Sequence, residues 1–315
     1  MTGRLVSKGR PQLLPYLAFA SLGLIWGASF LFIKLGVQDM SPTVLVFVRS
    51  ASGAIALAVI MVVTGRKLFA GQLQSRLVPF AIMAVTNALL PWVAIAWGET
   101  RISSGLASIL NSTTTLWTAV LIYWVVPSER PTALNYVGVG IGLAGVVVLV
   151  SPDISTHGIS GNFLGAMAVV VASLSYAVNA LYQRRKMRNV SVFDVSLGQL
   201  IASSLFAIPI AAPTLPYVHV HLLSMAAVLT LGAAGTGVAY LLYYYVMNQL
   251  GAVRAAGVTF LVPVTAVFWG VVLLREVLTV TIVVGMAVIL AGIVLTNLRR
   301  APRAQTAVER DSAAA

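Results

Sequence analysis

Eleven residues set in otherwise apolar stretches carry most of the usable chemistry of this sequence: Trp26, Ser29, Arg49, Asn87, Trp92, Asn111, Thr114, Tyr176, Asn179, Tyr240 and Tyr244. They are ring faces, amides, hydroxyls and one guanidinium, groups suited to holding a ligand rather than breaking a bond. Aromatic faces take apolar or cationic parts of a small molecule. Amides and hydroxyls fix its orientation through hydrogen bonds. Arg49 offers a two-pronged fork for a carboxylate; its other options are to bind backbone carbonyls or to extend its charge outward to water. The polar groups also have a structural reading, because Ser, Thr and Asn join helices in lipid by hydrogen bonds worth about 0.6–2 kcal/mol each. Trp124, Tyr136 and Tyr217 lie near the ends of apolar stretches, where rings anchor a chain at a membrane surface.

The parts of an enzyme site are missing from this pattern. Cysteine is absent, which removes disulfides, thiol chemistry and cysteine metal sites. The three histidines are His157, His219 and His221, and His219-x-His221 has no third metal ligand nearby. No Asp or Glu falls in the middle of an apolar stretch, so no proton relay through a buried carboxylate is visible. A driving force is left to a substrate gradient, to exchange, or to protons handled at the ends of the stretches. No phosphate-cradling glycine loop ends in Lys-Ser/Thr, which argues against ATP hydrolysis. The chain is expected to need no cofactor and to be no enzyme.

These residues must be positioned by helices in lipid. Of the 315 residues, 59% are hydrophobic and 9% are charged, against roughly 25% charged in soluble domains. About 20 apolar residues cross a bilayer core, and ten stretches qualify: 13–35, 43–64, 78–97, 102–126, 132–150, 162–183, 193–212, 223–247, 253–274 and 277–297. No ten-residue alternation at period two supports a membrane barrel. Ala18-Phe19-Ala20, after Arg4, Lys8 and Arg10, has the form of a signal-peptidase site. The apolar run continues to about Leu35, so it is expected to stay as the first span. The net charge of +12 lies in tails and connectors beside spans, where it orients a membrane protein, and no nucleic-acid partner is expected. With ten spans both ends share a face, and that face collects 16 of the 20 basic residues, which predicts both termini on the cytoplasmic side. Arg184-Arg185-Lys186-x-Arg188 is a basic cluster suited to anionic lipid. The alanine-rich stretch 299–315 is expected to be a disordered cytoplasmic tail.

The sequence contains one pattern twice. Trp26-Gly27-Ala28-Ser29-Phe30 with Lys34 is answered by Tyr176-Ala177-Val178-Asn179-Ala180 with Arg184, and Ser41 by Ser191. Glu129 and Glu276 are each followed by glycine at +9 and Ala-Gly at +15 and +16. Trp92 and Trp97 answer Tyr240 and Tyr245. Residues 1–150 and 151–298 thus form two five-helix units. Because five is odd, the second enters from the opposite face, an inverted repeat of the kind that permits alternating access around a midplane site. The fold class expected is all-α, integral to the membrane. Glu129 and Glu276 are expected to cap helices five and ten. The run Gly138-x-Gly140-x-Gly142 with Gly145, and the matching Gly285 and Gly292, should let helices approach closely.

At this point the chain resembles the drug/metabolite transporter superfamily, in its EamA-type branch, over about residues 13–297. The resemblance rests on Trp26-Gly27-x-x-Phe30 with Lys34, Arg49, Leu110-Asn111-Ser112-Thr113, Leu261-x-Pro263, and the paired Glu129 and Glu276 with their glycines. It implies a secondary transporter, mostly an exporter or exchanger of amino acids, other metabolites or toxic compounds, sitting in the cytoplasmic or inner membrane. Its expected partners are a small-molecule substrate and membrane lipid, as a monomer or homodimer. The resemblance also implies a proline bend in span four, where this chain has Thr115. A channel-like facilitator and a membrane-embedded enzyme are the other classes open to the sequence.

Overall fold

The computed structural model describes residues 13–69, 73–125, 132–157, 161–218, 221–251, 255 and 257–297. Regular structure among them is entirely helical, as lipid requires when each backbone N–H and C=O must be paired within the chain. The helices are α1 (Leu13–Gly36), α2 (Pro42–Val63), α3 (Gln74–Glu99), α4 (Ser104–Val125), α5 (Ala133–His157), α6 (Gly161–Lys186), α7 (Val192–Ala211), α8 (Leu222–Leu250), α9 (Val258–Leu274) and α10 (Val280–Asn297). Nine are long and apolar enough to cross a membrane, and α9 is shorter at 17 residues. The tail 299–315, Glu129 and His219 lie outside the described residues.

Local chemistry sets the breaks. Ser41 and Ser191 open α2 and α7, each hydroxyl accepting a backbone N–H at 3.3 Å, from Val44 and Phe193. Such a cap is worth about 1 kcal/mol. Span four divides after Asn111 and resumes at Thr114. The helix is therefore interrupted here although the proline implied by the resemblance is absent. Three successive hydroxyls lie at the interruption: Ser112, Thr113 and Thr114 donate to the carbonyls of Ile109 (2.6 Å), Leu110 (2.6 Å) and Asn111 (2.8 Å). Hydroxyls bonded back to the preceding turn bend helices. Span nine, by contrast, carries Pro263 inside a continuous helix.

The two halves repeat each other and exchange contacts. Helix α3 contains a π-helical turn at Ala84–Leu89, and α8 contains one at the matching place, Ala233–Val238. The α3 turn packs on α7 and the α8 turn on α2, so each half grips the other with the same element. Likewise α1 packs on α9 and α8, while its counterpart α6 packs on α4 and α3. Helices α2 with α7, α4 with α9, and α5 with α10 meet their own counterparts. The glycines follow this symmetry. A Cβ on Gly138 would lie 2.8 Å from the carbonyl of Gly292, and one on Gly145 would lie 3.1 Å from that of Gly285.

Polar ties mark the two ends of the bundle. At the far end, where α1 finishes, Lys34 donates to the carbonyls of Glu99 (2.6 Å) and Ile102 (2.9 Å). There too Ser41 bonds Thr214 at 2.8 Å, and Asp39 accepts from His221 and Ser224. At the near end Asp194 accepts from the Phe69 amide, Arg76 donates to Lys186, and Asn135 donates to Thr296. Glu276 corrects an expectation. Its carboxylate does not cap helix ten; it accepts from the amides of Ser104 (2.7 Å) and Gly105 (3.1 Å), and so caps α4. A carboxylate satisfies the orphan amides and the positive end of the dipole at either helix start, and the tight turn at Arg275, with φ of 56°, aims it at α4.

Candidate functional site

Six spans wall one cavity of about 290 Å³. From the first half come Trp26, Ser29, Phe30 and Ile33 of α1, Arg49 of α2, Ile95 of α3, and Ser108, Asn111, Ser112, Thr114 and Thr115 of α4. The second half contributes Tyr176 of α6 with Thr259, Val262 and Pro263 of α9. The polar wall exists because span four breaks here: the turn at Ser112 and Thr113 brings its hydroxyl and amide groups toward the hollow. On the other side of that turn Thr113 bonds Ser173 of α6 at 2.8 Å. Opposite, α1 is pressed onto α9 because residue 27 is glycine. A Cβ there would meet the Thr265 side chain and come within 2.9 Å of the Ala266 amide. Thr265 completes this seam by donating to the Gly23 carbonyl at 2.9 Å.

Arg49 supplies the one cation of the wall among the described residues. Its guanidinium lies 3.7 Å from the centroid of the Trp92 ring, and the residue is only 8% exposed. It therefore does not reach outward to water. Its Nε has no hydrogen-bond partner among the described residues. Tyr176 lines the same hollow as this guanidinium. A desolvated cation over an indole ring is held by about 2 kcal/mol or more, which leaves the edge of the fork available. Among the described residues no lining side chain is acidic. The arrangement can therefore take a small molecule with a carboxylate at Arg49, an apolar part against Trp26, Phe30 and Tyr176, and hydrogen-bonding groups along α4.

Six of the eleven expected residues, Trp26, Ser29, Arg49, Asn111, Thr114 and Tyr176, share this wall. The other five stand behind it or elsewhere. Trp92 is the platform under Arg49. Asn87 donates to Gln199 of α7 at 3.0 Å, and Asn179 accepts from Thr86 at 3.2 Å, so both bind helix to helix. Tyr240 faces Ser196 and Gln199. Tyr244 meets Phe193 edge to face, and the Phe193 ring carries Arg66 at 4.2 Å, toward the near end. Ser108 also lines the hollow, and in the sequence its small hydroxyl within an apolar turn resembles helix glue. Hydropathy alone ends span three at residue 97. The helix runs on to Glu99, which is fully buried, so a carboxylate does lie within a span. Helix ends read from hydropathy are uncertain by a turn, and a single carboxyl at such an end is easily placed in the connector.

In the far-end connector, hydrogen bonds from Ser224 and then His221 hold the Asp39 carboxyl below its usual range. His221 faces this carboxylate with Nδ1 at 3.0 Å, and the described residues contain no group of three metal-binding side chains.

Known proteins share this architecture. A model of the EamA-like transporter family matches residues 13–151 and again 163–298. The uncharacterized inner membrane transporter YedA of Escherichia coli is 28% identical, over 91% of this chain and 92% of its own. The uncharacterized transporter YoaV of Bacillus subtilis is 24% identical over 89% and 96%. A probable terminal-alkyne amino-acid exporter of Streptantibioticus cattleyicolor is 24% identical over 90% and 93%. Among solved structures, one crystal structure of a protein superposes with a TM-score of 0.62 at 18% identity, covering 92% of this chain and 100% of the other, which speaks for the fold alone.

Proposed function

The chain belongs to the EamA-like transporter family, and from that premise we propose that it is a secondary transporter exporting a small carboxylate-bearing metabolite, an amino acid or a close relative. The cavity is its substrate site. Arg49 binds the carboxylate, Trp26 and Tyr176 clasp the apolar part, and Ser29, Asn111 and Thr114 orient the remainder. The two halves, 1–150 and 151–298, rock about the reciprocal α2–α8 and α7–α3 contacts and open the site to each face in turn. Both termini lie in the cytoplasm and the chain sits in the cytoplasmic or inner membrane.

One observation carries this reading: among the described residues, a single buried cation on an aromatic platform faces a hollow walled by both halves and lined by no acidic side chain. Its size sits at the low end of small-ligand sites, roughly 300–1,000 Å³. The similarity to a probable amino-acid exporter supports the same substrate class. Counterflow in proteoliposomes tests it. Liposomes loaded with unlabelled neutral L-amino acids should take up a labelled trace of the same mixture faster than empty ones, which an open pore does not do. Arg49→Lys, which keeps the charge but loses the planar fork, should fold and lose about tenfold or more of this exchange, matching the roughly 1.5–3 kcal/mol of a hydrogen bond to a charged group. Unchanged exchange in that variant contradicts the role given to Arg49.

A further inference from the structure

Glu99 is a buried ionisable group that the substrate site does not use. It ends α3 with no exposed surface, and neither carboxylate oxygen has a hydrogen-bond partner among the described residues. Three charged groups reach it. Lys34 of α1 is at the same turn, yet it gives its N–H groups to the carbonyls of Glu99 and Ile102. Glu276, from the α9–α10 connector, is occupied by the Ser104 and Gly105 amides. Arg49 of α2 is stacked on Trp92. From α6, Gly165 and Val169 pack against neighbouring Gly98, and neither titrates. Arg101 lies on its own Trp97 ring and donates to the Trp97 carbonyl and the Thr100 hydroxyl.

The surroundings lead from this carboxyl to the cavity. Ser104 and Ser108, one turn apart on α4, have buried hydroxyls without partners among the described residues, and Ser108 lines the hollow. Ile95, a turn before Glu99, and Ile33, beside Lys34, line it too. A carboxylate without a donor is strongly disfavoured away from water, and such a group takes up a proton instead. The one ammonium at hand is held on carbonyls of the same turn.

Resting on the transporter reading above, we propose that Glu99 is the binding site of a coupling proton. It holds that proton in the conformation described here. When the O–H bond breaks and the proton leaves to water, Lys34 exchanges the two carbonyls for the carboxylate. That releases the far end of α1, the helix whose Trp26, Ser29, Phe30 and Ile33 wall the cavity. Reprotonation returns Lys34 to the carbonyls. The proton is taken up from the far face after substrate has left there and departs to the near face before the far end of α1 is released again, so substrate and proton move in opposite directions.

Infrared difference spectroscopy of the purified full chain in liposomes reads Glu99 without any substrate. At neutral pH the wild type should show the carbonyl stretch of a protonated carboxylic acid. Glu99→Gln should abolish that band, and Glu276→Gln should leave it. Glu99→Asp, which keeps the acid, should retain it at a shifted position and guards against a misfolded Gln variant. A wild type lacking the band, or a band persisting in Glu99→Gln, overturns the proposal. With the labelled neutral amino-acid mixture, a pH gradient should drive accumulation by the wild type and by Glu99→Asp. Glu99→Gln should lose gradient-driven accumulation and keep counterflow. Equal accumulation by Glu99→Gln and wild type overturns the coupling role, whereas a wild type without counterflow contradicts the transporter reading itself.

Discussion

Arg49 and Asp39 are both charged groups near one end of a bundle, and their surroundings give them different work. Arg49 was readable from sequence as an isolated cation in an apolar stretch, but its direction was not. Only the approach of α3 to α2 puts Trp92 beneath it and turns the charge inward. Asn87 and Asn179 look alike in sequence, and in the structure each bonds a neighbouring helix, Asn87 donating to Gln199 and Asn179 accepting from Thr86. Asp39 ties the α1–α2 connector to the start of α8 through Ser224 and His221. Its carboxyl is held below its usual range, so the ionised form favours the folded connector. That contribution is complete above the unfolded carboxyl value and fades as pH falls through the lowered folded value. Limited proteolysis of the far-end connectors should therefore accelerate in acid for the wild type. Asp39→Asn should be cut faster already at neutral pH, with little further change on acidification. A variant as resistant as wild type at neutral pH would remove this tie from the account.

At the scale of helices, close approach depends on what is missing from a side chain. Lipid supplies little hydrophobic drive between helices, so packing must come from contact. The α5–α10 seam is built on Gly138, Gly145, Gly285 and Gly292, each set against backbone or side-chain atoms of the opposite helix. A side chain at Gly292 would enter the backbone of Gly142, while one at Gly140 meets nothing within 4 Å. Gly292→Leu should cost about 1–3 kcal/mol by overpacking, read as a lower thermal midpoint in detergent, whereas Gly140→Ala should match wild type. Equal midpoints for all three would contradict the seam. These glycines were legible because their spacing repeats after each glutamate. The interruption of span four was less so. Ser112, Thr113 and Thr114 bond back to the preceding turn there, and hydroxyls in a sequence do not declare whether they bond backward or across. The paired π-helical turns carried no readable signal, since neither Ala84–Leu89 nor Ala233–Val238 contains a residue type specific to that geometry.

The whole molecule is ordered by its duplication. Composition and hydropathy fixed the number of spans, and the repeated Trp/Tyr, Ser and Glu-Gly positions fixed their pairing. The cavity then follows, because α1 with α9 and α6 with α4 are equivalent contacts on opposite sides of the same hollow. Glu99 was missed for a reason of scale: its significance lies in the meeting of α1, α3, α4 and the α9–α10 connector, which are far apart in sequence. The most direct test of a site reached from each face in turn uses the absence of cysteine from this chain. A single cysteine at the cavity wall, Asn111→Cys, can be probed with a membrane-impermeant maleimide added to either face of sealed vesicles of known orientation. The expected result is labelling from both faces, with a saturating neutral amino-acid mixture slowing both reactions. Labelling confined to one face under every substrate condition would contradict alternating access.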